Sequence, residues 1–188
     1  MAKVGPMSRG NWSAKDIREA RELDVLRSEN DVLPLWLREQ QSRFSTWVQD
    51  IGGPWDFSPE SLDLLEDVVR ERFRSAEEFR EQEDEAFLQV AAWYLGEVHN
   101  HYRGTQWQIH PDGKGHFRWK SYPFVIPPWD RLDDYEDEDG IEYDARPTVD
   151  PLSSLRLVLL EPYERPYPGQ TLRSELDAYE TKTENRGG

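Results

Sequence analysis

The chain has 188 residues, enough for one domain with a genuine core. Its formal net charge of −15 opposes direct binding to nucleic acid or to an anionic membrane, and the absence of cysteine excludes a disulfide framework and a thiolate zinc site. Only 36% of residues are hydrophobic against 32% charged, so the core must lean on eight Trp, eight Tyr and seven Phe.

No apolar run approaches membrane-spanning length, and the opening MAKVGPMSRGNW lacks the apolar centre of a signal peptide. The expected location is therefore cytoplasmic. The expected organisation is an N-terminal arm over 1–30 carrying a weak helix, a core domain over 31–161, and an extended C-terminal tail over 162–188.

Residues 1–12 read as a flexible leader. Ser13 is placed to cap a helix over 14–28, but its apolar positions are few (Ile17, Ala20, Leu23), and it is expected to pack only lightly. The stretch from Asp31 to Asp50 is a stronger helix. Asp31 suits the cap and Pro34 the first turn, while Leu33, Trp36, Leu37, Phe44, Trp47, Val48 and Ile51 follow helical spacing. Gly52-Gly53-Pro54 ends it. Ser58-Pro59 then starts a helix over 59–74 with the stripe Leu62, Leu65, Val68, Val69 and Phe73.

Ser75 with Glu78 resembles a capping box and opens a long helix, whose acidic first half spans 77–85. Phe87, Val90, Ala91, Tyr94, Leu95, Val98 and Tyr102 recur three and four apart, the period of one helical face. Gly104 suits a left-handed cap. Gly96, inside the helix, disfavours it by roughly 1 kcal/mol relative to Ala and suits a place where another element comes close.

From Trp107 the period switches to two. With Asp112-Gly113-Lys114 at the turn, His110 opposes His116, Ile109 opposes Phe117 and Trp107 opposes Trp119. Such a hairpin is marginal alone and needs a further strand or a helix over it. Pro123, Pro127 and Pro128 break the pattern. Residues 130–144 then carry nine acids and one Arg. Asp150-Pro151 starts a short helix with Leu152, Leu155, Val158 and Leu159. PYERPYPGQ reads as an extended loop, Leu172–Tyr179 as one or two helical turns, and the last residues as disordered. The fold class expected from these elements is α+β, three or four helices packed on a small antiparallel sheet.

Two clusters could carry chemistry. Glu97, His101, His110 and His116 are the set a metal or acid–base centre would use, because neutral imidazole and carboxylate are common ligands. Their spacing matches no metal signature, however, and His99 and His101 point about 200° apart on a helix. The histidines therefore read as surface or boundary residues, and no metal, cofactor or catalytic residue is expected. The second cluster is the acidic run. It is not an EF-hand, because aligning Gly140 with that loop's glycine puts Tyr135 and Arg146 where acids are required. Its acids alternate with aromatics, so Asp133, Asp134, Tyr135, Glu136, Asp137, Asp139 and Tyr143 suit a contact surface for a basic protein.

The segments AAWYLGEVHNHYRG, the following Trp strand, PFVIPP and the downstream Asp-Pro-Leu helix together resemble a group of uncharacterised bacterial proteins common in actinomycetes. Some of these resemble immunity proteins that neutralise toxins. The resemblance covers about residues 58–160 and rests on Gly96, Trp107, Pro123 and Pro151, which are structural, so it transfers no site residue. The leading functional expectation is a non-enzymatic acidic module, an immunity protein or inhibitor of a basic partner. A small metal-dependent hydrolase and an assembly subunit are the alternatives.

Overall fold

The computed structural model describes residues 13–111, 122–135, 144–161, 164 and 169–179. The expected leader, residues 162–163 and 165–168 of the extended loop, the turn and return strand over 112–121, residues 136–143 of the acidic run, and the tail from 180 lie outside them. The described elements are α1 (Ala14–Ser28), α2 (Val32–Ile51), α3 (Ser61–Arg72), α4 (Ala76–Glu81), α5 (Ala86–Arg103), β1 (Gln106–Gln108), β2 (Phe124–Ile126) and α6 (Pro151–Leu157), with 3-10 helices at Trp129–Asp134 and Ser174–Tyr179.

This corrects the α+β expectation. Helices make up 63% of the described residues, and the sheet is two strands of three residues each. The reason lies in α5. It is not an amphipathic helix resting on a sheet: Leu88 through Gly96 are buried without a break. A helix buried all round needs neighbours on every side. It finds α2, α6, both strands and the C-terminal 3-10 helix. Tyr102 also departs from its assigned stripe and stands 56% exposed.

The aromatic content gathers on one side of α5. Tyr94 is fully buried, with the rings of Phe57, Trp55, Phe44 and Trp47 at 4.8, 5.2, 5.7 and 6.1 Å. Its hydroxyl donates to Ser61 Oγ at 2.6 Å and accepts from the Phe57 amide at 2.9 Å. Those contacts hold Phe57 at φ 60°, a conformation that non-glycine residues adopt at a cost.

The helix opened by Ser75 ends early. Ser75 caps α4 as expected, accepting from the Glu78 amide, but α4 stops at Glu81 and α5 starts anew at Ala86. The acids between them oppose the negative end of α4 and suit the positive start of α5, so the break relieves both. Gln89 reinforces it by donating to the Glu83 carbonyl at 2.7 Å.

β1 pairs antiparallel with β2, Trp107 facing Val125, Gln106 opposite Ile126 and Gln108 opposite Phe124. The expected partners Phe117 and Trp119 lie outside the described residues. Phe124, Val125 and Ile126 are all buried, and Val125 bridges Val149 on its other edge. A segment that can be buried on both faces takes the place beside β1.

Trp107 seats this small sheet on α5. Its indole lies across Gly96, where any Cβ would overlap the ring. The indole N–H donates to Glu97 Oε1 at 2.6 Å, and Trp36 meets the ring edge-on at 5.2 Å. From β1, Gln108 donates to buried Asp24 at 2.8 Å, which ties down α1. Asp24 also accepts from Arg146 at 2.7 Å. The Arg146 side chain is fully buried and donates further to Asp144 and to the Pro127 carbonyl. The α1 residues Val25 and Leu26 remain exposed.

Gly96→Ala should therefore destabilise the protein by about 1–3 kcal/mol through overpacking, even though alanine is the better helix former. Urea unfolding followed by tryptophan fluorescence measures this. An unchanged midpoint would mean that Trp107 does not depend on the missing side chain.

Candidate functional site

The C-terminal end of α5 gathers an acidic face. After Pro127-Pro128 the chain turns into the 3-10 helix Trp129–Asp134, pinned by buried Leu132. Asp130, Asp133 and Asp134 are exposed on it. Arg131 turns back into the fold. Its Nη1 donates to the Arg103 carbonyl at 2.9 Å and its Nε to Asp134 at 3.1 Å. Arg103 reaches Asp177 on the second 3-10 helix, at 3.5 Å. Both arginines thus serve the end of α5, where the helix dipole and unpaired carbonyls favour cations. Tyr102 stands out from the same turn, its ring 5.1 Å from the Arg103 guanidinium.

Of the residues expected to contact a partner, Asp133, Asp134 and Tyr135 belong to this face. Tyr135 is half-buried, its ring 5.8 Å from the Arg131 guanidinium. Glu136, Asp137, Asp139 and Tyr143 lie outside the described residues. Tyr102 and Asp177 join the face without having been singled out in the sequence. Tyr102 had been assigned to the core by periodicity, although its place in the last turn before Gly104 was a sign that the stripe had run out.

The histidine set is not brought together. The Glu97 carboxylate accepts from Trp107 and, at 3.2 Å, from Asn100 Nδ2. His101 is exposed, with Nδ1 2.8 Å from the Glu97 carbonyl oxygen and its ring stacked on Phe57 at 5.4 Å. His110 lies elsewhere, 5.1 Å from the Phe124 ring. His116 is outside the described residues. Among the described residues no group of three or more His, Asp or Glu is placed to hold a metal ion.

A cleft of about 680 Å³ opens between α6 and the turn leading into the second 3-10 helix. Thr148, Asp150, Ser153, Ser154, Gln170 and Glu175 supply its polar wall, and Val149 and Leu157 its apolar one. Asp150 caps α6, accepting from the Leu152 and Ser153 amides, as Asp-Pro had promised. Glu175 is 8% exposed. Gln170 donates to its Oε1 at 3.1 Å, while Oε2 has no hydrogen-bond partner. Burial pushes this carboxyl up to about 7. Glu66 and Asp150 add to the rise, and Ser154 and Gln170 work against it. Leu172, Glu175, Leu176 and Tyr179 share helical spacing, so a glutamate within an apolar stripe was the sequence signal that was overlooked.

His99 is the other buried ionisable group of this region. It is fully buried in α5, its ring 5.5 Å from that of Tyr179, and neither ring nitrogen has a hydrogen-bond partner. Burial, helped by the Arg103 charge, lowers it to about 4.

No protein-family model, curated protein or solved structure matches the chain. No helix among the described residues is long and apolar enough to cross a membrane.

The two buried groups act on stability with opposite signs. The folded state binds a proton at Glu175 more tightly than the unfolded chain, whose value is near 4.5, so stability falls as pH rises from 4.5 to 7. Glu175→Gln should stabilise the protein by up to about 3 kcal/mol at pH 8, with the gain vanishing below pH 4.5. His99 binds its proton less tightly when folded, so stability is lost as pH falls from 6.5 to about 4. His99→Leu should remove about 3 kcal/mol of that acid sensitivity. Urea titrations of both variants at pH 4, 6 and 8 measure the two effects, and parallel pH profiles for variant and parent would refute the assignments.

Proposed function

We propose that the protein is a non-enzymatic acidic binding module for a basic protein partner, of the immunity-protein or inhibitor kind, acting in the cytoplasm. The observation that carries this reading is the arrangement at the end of α5. Asp130, Asp133 and Asp134 are exposed on the 3-10 helix that Arg131 ties to the end of α5, Tyr102 in the last turn of α5 is 56% exposed, and Arg131 and Arg103 are turned onto backbone and carboxylate acceptors. Such a face offers negative charge to steer a cationic partner and one aromatic ring to anchor it. The net charge of −15 extends the same field over the whole molecule.

Affinity capture from native lysate at low salt, with the bound protein identified and its affinity then measured, tests this. A single basic partner is expected. Its affinity should fall roughly tenfold or more as salt rises from about 50 to 300 mM, since the steering charges are exposed and screened. Tyr102→Ala should weaken it by about 1–2 kcal/mol, mainly through faster dissociation, and Asp130→Asn with Asp133→Asn mainly through slower association. Salt-insensitive binding, or binding unchanged by all three substitutions, would sink the proposal.

A further inference from the structure

The cleft at Glu175 does not depend on the face at the end of α5, and its chemistry is more specific. The carboxylates around it differ in what they lack. Asp150 has both oxygens engaged by the start of α6, Oδ1 by two amides and Oδ2 by the Ser153 hydroxyl at 3.0 Å. Glu66 has both engaged too, Oε1 by the Leu172 amide and Oε2 by Arg70, each at 2.6 Å. Of these three, Glu175 keeps a buried oxygen, Oε2, with no donor at hydrogen-bond geometry, the Ser154 hydroxyl lying near enough only to ease its ionisation. Among the described residues lining the cleft, none is basic. Among the described residues the neighbouring arginines are directed elsewhere, Arg70 to Glu66, Arg72 over the Phe87 ring, Arg156 to Glu83 at 3.3 Å and Arg173 to Glu60 and Asp63.

We propose that this cleft binds an organic cation, a guanidinium or alkylammonium group on a short aliphatic stem, with Glu175 as its counter-ion. The cation supplies the donor that Oε2 lacks. It offsets the combined negative charge of Glu175, Asp150 and Glu66, which a neutral donor would leave in place. The hydroxyls of Ser153 and Thr148 can accept the remaining N–H groups, and Val149 and Leu157 can cover the stem. A metal ion fits less well. Calcium and magnesium need six or more oxygen ligands, and those of Asp150 are already committed to the helix start.

Binding should be linked to proton release. Glu66 on α3, Asp150 on α6 and Tyr179 on its own 3-10 helix face Glu175, and His99 of α5 lies beyond Tyr179. His99 stays neutral above pH 5, so Glu175 is the group that titrates near neutrality.

Calorimetric titration of the full chain at low salt tests the proposal, using butylguanidinium, butylammonium, the peptide acetyl-Gly-Arg-Gly-amide and, as the neutral isostere, butylurea. One site is expected for the cations at pH 8, about tenfold weaker at pH 5.5, with no binding of butylurea. Glu175→Gln, which should be more stable than the parent, is expected to bind the cations at least tenfold more weakly. Asp133→Asn should bind them unchanged. Tighter binding of the peptide than of the free cations would identify the side chain of a partner protein as the source, and equal or weaker binding a small metabolite. Absence of cation binding, equal binding by butylurea, or undiminished binding by Glu175→Gln would each overturn the proposal, whatever becomes of the acidic face.

Discussion

The arrangement depends on one close approach, that of the Trp107 indole to the backbone of α5 at Gly96. Because glycine leaves room there, β1 lies directly on the central helix, and the indole N–H reaches Glu97 in the next position. β1 in turn sets β2, and β2 sets Val149 through the bridge at Val125. Val149 is followed immediately by Asp150 and α6, one wall of the cleft. In the other direction, Gln108 brings Asp24 to Arg146 and so fastens α1. A helix with almost no apolar stripe is thus held by a buried ion pair. Such a pair contributes little net stability when complete, but it leaves a costly unpaired charge when either partner is lost.

Much of this was legible in the sequence, and the reasons for the remainder are specific. Ser13, Ser75, Gly104 and Asp150-Pro151 mark real boundaries, whereas Ser58-Pro59 opens only a turn before α3, which starts at Ser61, and Asp31 makes no side-chain cap bond. These are local events, settled by side chains within three or four residues. The β1–β2 pairing was not legible, because Trp107 opposite Val125 is fixed by burial of Phe124–Ile126 on both faces, which is not a local signal. The fold class was misjudged for the same reason. Periodicity assigned α5 one face, and only the surroundings reveal that its other positions are covered too.

Polar residues in apolar stripes turn out to carry the most information. Asp24 falls in line with Ile17 and Ala20, Glu66 with Leu62 and Val69, His99 with Leu88 and Leu95, and Glu175 with Leu172, Leu176 and Tyr179. Each of these four is buried. They separate into two kinds. Asp24 is matched by Arg146 and the Gln108 side-chain amide, Glu66 by Arg70 and the Leu172 backbone amide, and so both serve the fold. His99 and Glu175 retain atoms without partners, and their ionisation opposes folding, at low pH for His99 and above it for Glu175. Of the contact residues expected in the acidic run, more conspicuous in the sequence, Asp133, Asp134 and Tyr135 are among the described residues.

The second 3-10 helix connects the two acidic features. Asp177 points outward to Arg103 at the face, while Glu175, two residues earlier, points inward to the cleft. The ion pairs that tether this segment, Arg173 with Glu60 and Asp63 and Arg103 with Asp177, are largely exposed and contribute little in salt. The burial of Leu172, Leu176 and Tyr179 holds it instead, at roughly 2 kcal/mol per side chain. Against that, an ionised Glu175 without a counter-ion withdraws an amount comparable to one of those side chains. The segment is therefore least secure above neutral pH with the cleft empty, and a cation beside Oε2 tightens it. Occupancy of the cleft and the firmness with which Asp177 is held at the face are for this reason parts of one equilibrium.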